Sequence, residues 1–177
     1  LDIVFEKEFV ELPGADAGTF KAGSTDASAE MGEVTVEDAA FMVVEFVTGA
    51  LGSFDTSRFA NGRKNYNSFE IYGSKGSLTF NMERMNELQY LNITDPVEEQ
   101  GFRTIQTTDP NHPYISAWWP PGHIIGYEHT FIHAVKDFLD ALAGEKEISP
   151  NLYDGMKIMQ ILEAGIQSSN SGTHVKV

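Results

Sequence analysis

Residues 37–81 read EDAAFMVVEFVTGALGSFDTSRFANGRKNYNSFEIYGSKGSLTFN, and their patterning sets the fold class. From 41 to 47 nearly every position is apolar, which predicts a strand covered on both faces. Thr48-Gly49 predicts a tight turn, because glycine reaches positive φ without steric cost. A second strand is expected over 51–59, followed by the polar connection Ala60-Asn61-Gly62-Arg63. A third is expected over 64–72, and Gly73-Ser74-Lys75-Gly76 turns it into a fourth over 77–80. In the third strand Asn65, Asn67, Phe69 and Ile71 share a face at a spacing of two, so that face is polar at its start and apolar at its end. Arg63, Asn65 and Asn67 thereby become candidate contacts for a polar ligand. The plain alternative is the wet end of a strand.

Upstream, residues 3–12 alternate loosely and predict an edge strand. Residues 13–33 are small and polar, a long loop with a short strand possible at Thr19-Phe20-Lys21 and a return to the sheet at Val34. Downstream, strands are expected over 87–92 and 102–107. The segment from Asp109, DPNHPYISAWWPPGH, holds four prolines and two adjacent tryptophans, which predicts an extended, irregular path. Trp118 and Trp119 either pin that path to the core or line a pocket. Trp119 beside His123 suits stacking on the C–H face of a sugar.

Two helices come next. Ile124, Tyr127, Phe131, Val135, Phe138 and Leu142 make one apolar stripe over 124–142, ended by Gly144. Ser149-Pro150 opens the second helix, with Leu152, Met156, Met159, Leu162 and Ile166 as its stripe and Gly172 as its end. Residues 173–177 predict a last strand. The fold class is α+β: a large, mainly antiparallel, open-faced sheet in one domain of 177 residues, with two long C-terminal helices packed on one face.

A formal net charge of −14 argues against a nucleic-acid partner and against anionic membrane surfaces. No apolar run approaches the roughly 20 residues that span a bilayer, no signal peptide is visible, and the chain is taken as cytoplasmic. With no cysteine, a thiolate nucleophile or metal site is ruled out. There is no GxGxxG and no GxxxxGK[ST], so the chain alone is expected to hold no dinucleotide. His129 and His133 stand at i, i+4, a spacing open to a metal. With Lys136 (or Asp137) and Asp140 they also read as a solvated polar stripe opposite the apolar one. That reading is preferred, with no metal ligand assigned. No GxSxG elbow and no clear carboxylate pair points to hydrolysis.

Residues 37–65, FEIYGSKGSLTFN at 69–81 and WWPPGHIIGYEHTFIHAVKDFLDALAG at 118–144 closely resemble the C-terminal domain of the Gfo/Idh/MocA oxidoreductases. These include the glucose–fructose oxidoreductases and inositol dehydrogenases. The EIxGxKGSLxF hairpin and the GHxxGYEHTF helix start carry most of the likeness, which extends over nearly the whole chain. The resemblance implies the substrate and oligomerisation half of an NAD- or NADP-dependent sugar or polyol dehydrogenase, with an N-terminal Rossmann domain elsewhere. The family's Glu-Lys-Pro and Asp-x-x-x-His motifs are absent: Glu6-Lys7-Glu8 is not the first, and no aspartate has a histidine four residues on. No catalytic residue is therefore assigned, and the chain alone is expected to be inactive.

Carry-over is confined to substrate contacts: Arg63 and Asn65 at the strand before the turn, Asn67 two residues on, and Trp119 and His123 in the covering segment. Self-association through the sheet is expected, since two helices cover at most one of its faces. Leucine as the first residue suggests a fragment, a processed chain or a trimmed one. The alternative is a stand-alone, non-enzymatic protein that uses the same sheet for ligand binding or assembly.

Overall fold

The structure, a computed structural model, describes residues 2–4, 9–11, 31–33 and 35–177. In chain order the strands are β1 (Asp2–Val4), β2 (Phe9–Glu11), β3 (Met31–Glu33), β4 (Ala39–Glu45), β5 (Leu51–Ser57), β6 (Ser68–Gly73), β7 (Gly76–Asn81), β8 (Glu87–Asn92) and β9 (Arg103–Gln106). Among the described residues there are two α-helices, α1 (Tyr127–Leu142) and α2 (Leu152–Ser171). The α+β class holds, and every strand pairing among the described residues is antiparallel.

The run over 37–81 is two hairpins, not one continuous ladder. The strands form three sheets, β1-β4-β5, β2-β3 and β6-β7-β8-β9, and β5 makes no ladder with β6. The chain accordingly divides into two compact units, Leu1–Asn61 with Pro150–Val177, and Gly62–Ser149. The break falls inside the polar connection at 60–63. The short strand considered at 19–21 lies outside the described residues.

In the first unit, β4 and β5 pair from Ala39↔Ser57 to Glu45↔Leu51. Gly49 closes the turn at φ 83°, and its N–H donates to the Phe46 carbonyl at 2.8 Å. The expectation that 41–47 is covered on both faces fails. From Ala39, which is buried, burial along β4 alternates, leaving Phe41 and Val43 exposed. An apolar run says both faces can be buried, not that both are. Helix α2 starts later than Ser149-Pro150: the Asn151 side chain accepts from the N–H groups of Tyr153 and Asp154, and Gly172 ends the helix at φ 63°. The stripe residues Leu152, Met156, Met159, Leu162 and Ile166 are exposed, and residues 173–177 are not a strand.

In the second unit, β6 to β9 pair in sequence order with residues alternating between faces. Phe69, Ile71, Leu78, Phe80, Leu88 and Ile105 share one side, where the Phe69 and Phe80 rings stack at 5.4 Å. Glu70, Thr79, Gln89 and Thr104 share the other, where the Gln89 amide donates to Thr104 Oγ1 at 2.8 Å. Gly76 is needed for a reason the turn reading did not anticipate. Its φ is ordinary, but a Cβ there would lie 2.3 Å from the Leu91 carbonyl oxygen. Helix α1 begins at Tyr127, three residues later than its stripe suggests. Asn86 holds the approach by both ends of its amide: Nδ2 donates to the Ile125 carbonyl at 2.8 Å, and Oδ1 accepts from Ile125 N–H at 3.0 Å.

Candidate functional site

The residues read as the start of the third strand are not on a strand. Ladder pairing begins at Ser68, so Arg63, Asn65 and Asn67 lie in an irregular approach to β6, and the spacing-of-two argument does not apply to them. A single carboxylate shapes this approach. Glu83 Oε1 accepts from the N–H groups of Lys64, at 2.7 Å, and Asn65, at 3.2 Å. Glu83 is itself set by the Asn81 side chain, which accepts its N–H at 2.9 Å and caps a short 3-10 turn, Met82–Arg84. The Asn67 carbonyl accepts from Met82 N–H at 2.9 Å. The Arg63 guanidinium lies 3.7 Å from the centre of the Tyr66 ring, a cation–π contact.

The side-chain amides of Asn65 and Asn67 make no hydrogen bond among the described residues, so both donors and acceptors face outward. Tyr66 also borders a shallow depression of about 180 Å³, whose lining includes Thr79, Asn81, Arg84, Glu87 and Gln89. Arg84 and Glu87 pair across 2.8 Å. The hollow is smaller than the roughly 300–1,000 Å³ typical of drug-sized ligands and unusually polar for one. Tyr66, Glu83 and Arg84 were missed by sequence reasoning, which treated 82–86 as a plain connection.

The two tryptophans take different roles. Trp119 is 56% exposed, with no hydrogen bond or ring contact among the described residues. Trp118 turns inward: its Nε1–H donates to His133 Nε2 at 2.7 Å, and its ring meets the His129 ring edge-on at 4.5 Å. Tyr114 stacks on the other side of His133 at 4.3 Å and donates its hydroxyl to Asp137 Oδ2 at 2.7 Å. These contacts hold Tyr114 at φ 66°, unusual for a non-glycine residue.

His129 and His133 are therefore not on a solvated stripe. Of the α1 side chains, His129, His133, Asp137 and Asp140 lie on the half-buried side, while Tyr127, Phe131, Val135, Phe138 and Leu142 are exposed. Hydrophobic periodicity picked the wrong inward face because the partner on that side is itself an aromatic segment that offers hydrogen bonds. The one usable signal was the i, i+4 histidine pair next to a Trp-Trp segment.

Electrostatics obey the same contacts. Burial, then the neighbouring His129, lowers the His133 pKa from 6.5, with Asp137 opposing. Hydrogen bonds from Lys146 and then from Tyr114 lower the Asp137 pKa, and the bond to Asp137 raises that of Tyr114. Lys146 Nζ stands 2.5 Å from Asp137 Oδ1. No group of three or more His, Asp or Glu side chains among the described residues could hold a metal ion.

His123 closes a turn with prolines at its first two positions and Gly122 at the third, φ 86°; His123 N–H donates to the Pro120 carbonyl at 3.2 Å. The turn is tethered where Gly122 N–H donates to Oγ1 of buried Thr108 at 3.1 Å. Among the described residues the His123 ring has one polar contact, inside its own turn, with Nδ1 3.0 Å from the Pro120 carbonyl. Among the described residues no hydrogen bond, ion pair or ring contact joins 63–67 to 118–123.

The helix N-termini do not fit a dinucleotide. A pyrophosphate needs free N-terminal amides and no nearby anion. At α2 the Asn151 side chain occupies those amides and Asp154 stands in the first turn; at α1 the first turn carries Glu128. No helix among the described residues is long and apolar enough to cross a membrane.

Comparison with known proteins agrees with this architecture. Residues 14–177 match the profile of a family described as "Oxidoreductase family, C-terminal alpha/beta domain". A levoglucosan dehydrogenase from Pseudarthrobacter phenanthrenivorans is 40% identical over 166 residues, covering 93% of this chain and 41% of that protein. An oxidoreductase domain protein from Kribbella flavida superposes with a TM-score of 0.78 at 48% identity, over 81% of this chain and 38% of that one. A levoglucosan dehydrogenase in complex with NADH and levoglucosan gives 0.79 at 40% identity, over 82% and 40%. The chain thus spans about two fifths of the relatives it matches.

Proposed function

The chain belongs to the Gfo/Idh/MocA oxidoreductase family, and we propose that it is the substrate-binding and oligomerising domain of an NAD- or NADP-dependent sugar or polyol dehydrogenase. The relative solved with NADH was captured with levoglucosan and, in another crystal, with L-sorbose. These support a sugar or polyol as substrate here. The profile match runs through both compact units, which supports reading 1–177 as one functional domain.

The observation that carries the reading is the approach to β6. Glu83 fixes the backbone at 64–65 while leaving the amides of Asn65 and Asn67 unpaired beside Arg63. Amides that donate and accept, next to a guanidinium that only donates, match the mixed pattern of a polyol. The polar hollow beside Tyr66 extends the same surface. On this reading Trp119 and His123 cover the sugar, the indole face meeting its C–H groups.

Hydride transfer requires a nicotinamide held against the reacting carbon. The helix starts among the described residues do not fit its pyrophosphate, and on this reading the chain binds and orients the sugar. The decisive experiment joins the chain to its Rossmann half and measures binding. Arg63→Ala and Asn65→Ala should weaken sugar use while leaving NAD(P) affinity nearly unchanged. Equal losses in both, or turnover by the 177-residue chain alone with added cofactor, would sink the reading. Self-association through the sheet is part of the proposal, supported by exposed Phe69 and Ile71 on its apolar side. A monomer by light scattering at micromolar concentration counts against it.

A further inference from the structure

We propose that Trp118 and His133, with His129 packed against the indole, form an acid-released latch, which clamps the 118–123 segment onto α1 while His133 keeps Nε2 unprotonated. The inference rests on the proposed function only where it places that segment over the sugar.

The chemistry of the donors requires it. An indole N–H can donate but not accept. Its partner at 2.7 Å, His133 Nε2, must therefore carry a lone pair, which leaves the ring proton on Nδ1. His129 is committed in the same way. Its Nδ1 accepts from Gly126 N–H at 3.1 Å, and the Gly126 carbonyl accepts from His129 N–H at 3.1 Å, a reciprocal closure of the helix start. An imidazolium has two donors and no acceptor. A second proton on His133 turns Trp118 Nε1–H···Nε2 into two opposed donors. The latch is binary because that bond does not survive in a weaker form.

Burial first, then the neighbouring ring, favours a neutral His133. Half-buried His133 has the Tyr114 ring stacked on it and the Trp118 ring beside it. The anion that acts on it, Asp137, is already taken by Lys146 and the Tyr114 hydroxyl. Glu128 stands 3.6 Å from His129 Nδ1 but is mostly exposed. Lys136, on the same helix, pairs with Asp140. Burial and the neighbouring imidazole both work against a proton on His133, so the clamp still holds at pH 6.5 and opens as pH falls further, into the lowered range of His133.

Release would be local. The tethers at Gly122 to Thr108 and at Asn86 to Ile125 contain no titrating group and persist. Trp118 and Trp119 swing free about them. His133 is thus a positioning residue, acting on the sugar through Trp118.

The two indole N–H groups of the chain give separate NMR signals. The Trp118 signal should exchange with solvent on the order of tenfold more slowly than that of Trp119 at about pH 7.5, as one buried hydrogen bond allows. The difference should vanish as pH falls below 6.5 through the lowered range in which His133 takes its second proton. His133→Gln keeps an acceptor that cannot titrate and should hold the protection through the acid range, while Trp118→Phe removes the donor. Should His133→Gln not fold, the wild-type imidazole nitrogens decide the matter: Nε2 of His133 must be unprotonated at neutral pH. A Trp118 signal indifferent to pH, a His133→Gln signal that titrates like wild type, or a proton on His133 Nε2 at neutral pH overturns the latch. In the complete protein, a sugar KM unmoved through the same titration overturns the covering role of the segment and leaves the latch standing.

Discussion

Two segments of the second unit, 63–67 and 114–123, carry all the candidate sugar contacts, and they are held in opposite ways. The first is an exposed turn fixed through its backbone: one carboxylate, Glu83, gathers two N–H groups and leaves the side chains outside. The second is fixed through its side chains. Tyr114 and Trp118 are spent on His133, Asp137 and His129, while Trp119 and His123, nearer the start of α1, are exposed. A segment held by its backbone can vary its side chains at little cost in stability. One held by its rings cannot, so the same kind of substitution should mean different things in the two places.

The largest effect should come from Trp118→Ala, which removes the ring that α1 grips. The indole is half-buried, so the loss should fall at about 2–3 kcal/mol, below the ~3–5 of a fully buried aromatic. Chemical denaturation would measure it. A loss under about 0.5 kcal/mol, the range of ordinary surface changes, would erase the distinction between the segments.

Arg63→Ala should do the reverse, leaving stability almost untouched and reducing kcat/KM for the sugar in the complete enzyme by about tenfold to a hundredfold. The range corresponds to bonds from a charged donor worth ~1.5–3 kcal/mol. His129→Ala cannot serve as a silent control beside it, because the imidazole closes the start of α1.

Glu83→Ala sharpens the comparison from the backbone side. Its two N–H partners lose their acceptor, and hydrogen exchange at Lys64 and Asn65 should quicken about fivefold, the equivalent of ~1 kcal/mol of local order. Exchange unchanged there would mean the turn is held by something other than the carboxylate.

His123→Ala should be the smallest in stability, within about 0.5 kcal/mol, since the exposed ring has one polar contact among the described residues, inside its own turn. Any larger loss on thermal unfolding would show that the end of the second segment is also anchored. Acid should separate the segments further. A base whose pKa is lowered on folding binds its proton more readily in the unfolded chain, so stability falls as pH drops from 6.5 into the lowered range of His133. Hydrogen exchange at 114–118 should track that fall, and exchange at 63–67 should not.

The amino-acid sequence by itself determined the local events. Gly49, Gly144 and Gly172 stand at positive φ where breaks were expected, and Glu87–Asn92 is a strand to the residue. The class comes from these, because turn chemistry and short-range periodicity act within a few residues. Tertiary structure decided the rest. The interruption at 60–63 depends on which strands find partners, and β5 and β6 do not find each other. The delayed start of β6 depends on Glu83, eighteen residues beyond Asn65. The inward face of α1 was misread because periodicity counts apolar side chains and takes histidine as polar. Next to Tyr114 and Trp118 an imidazole is both a ring to stack on and a hydrogen-bond acceptor, and only the fold brings those rings to it.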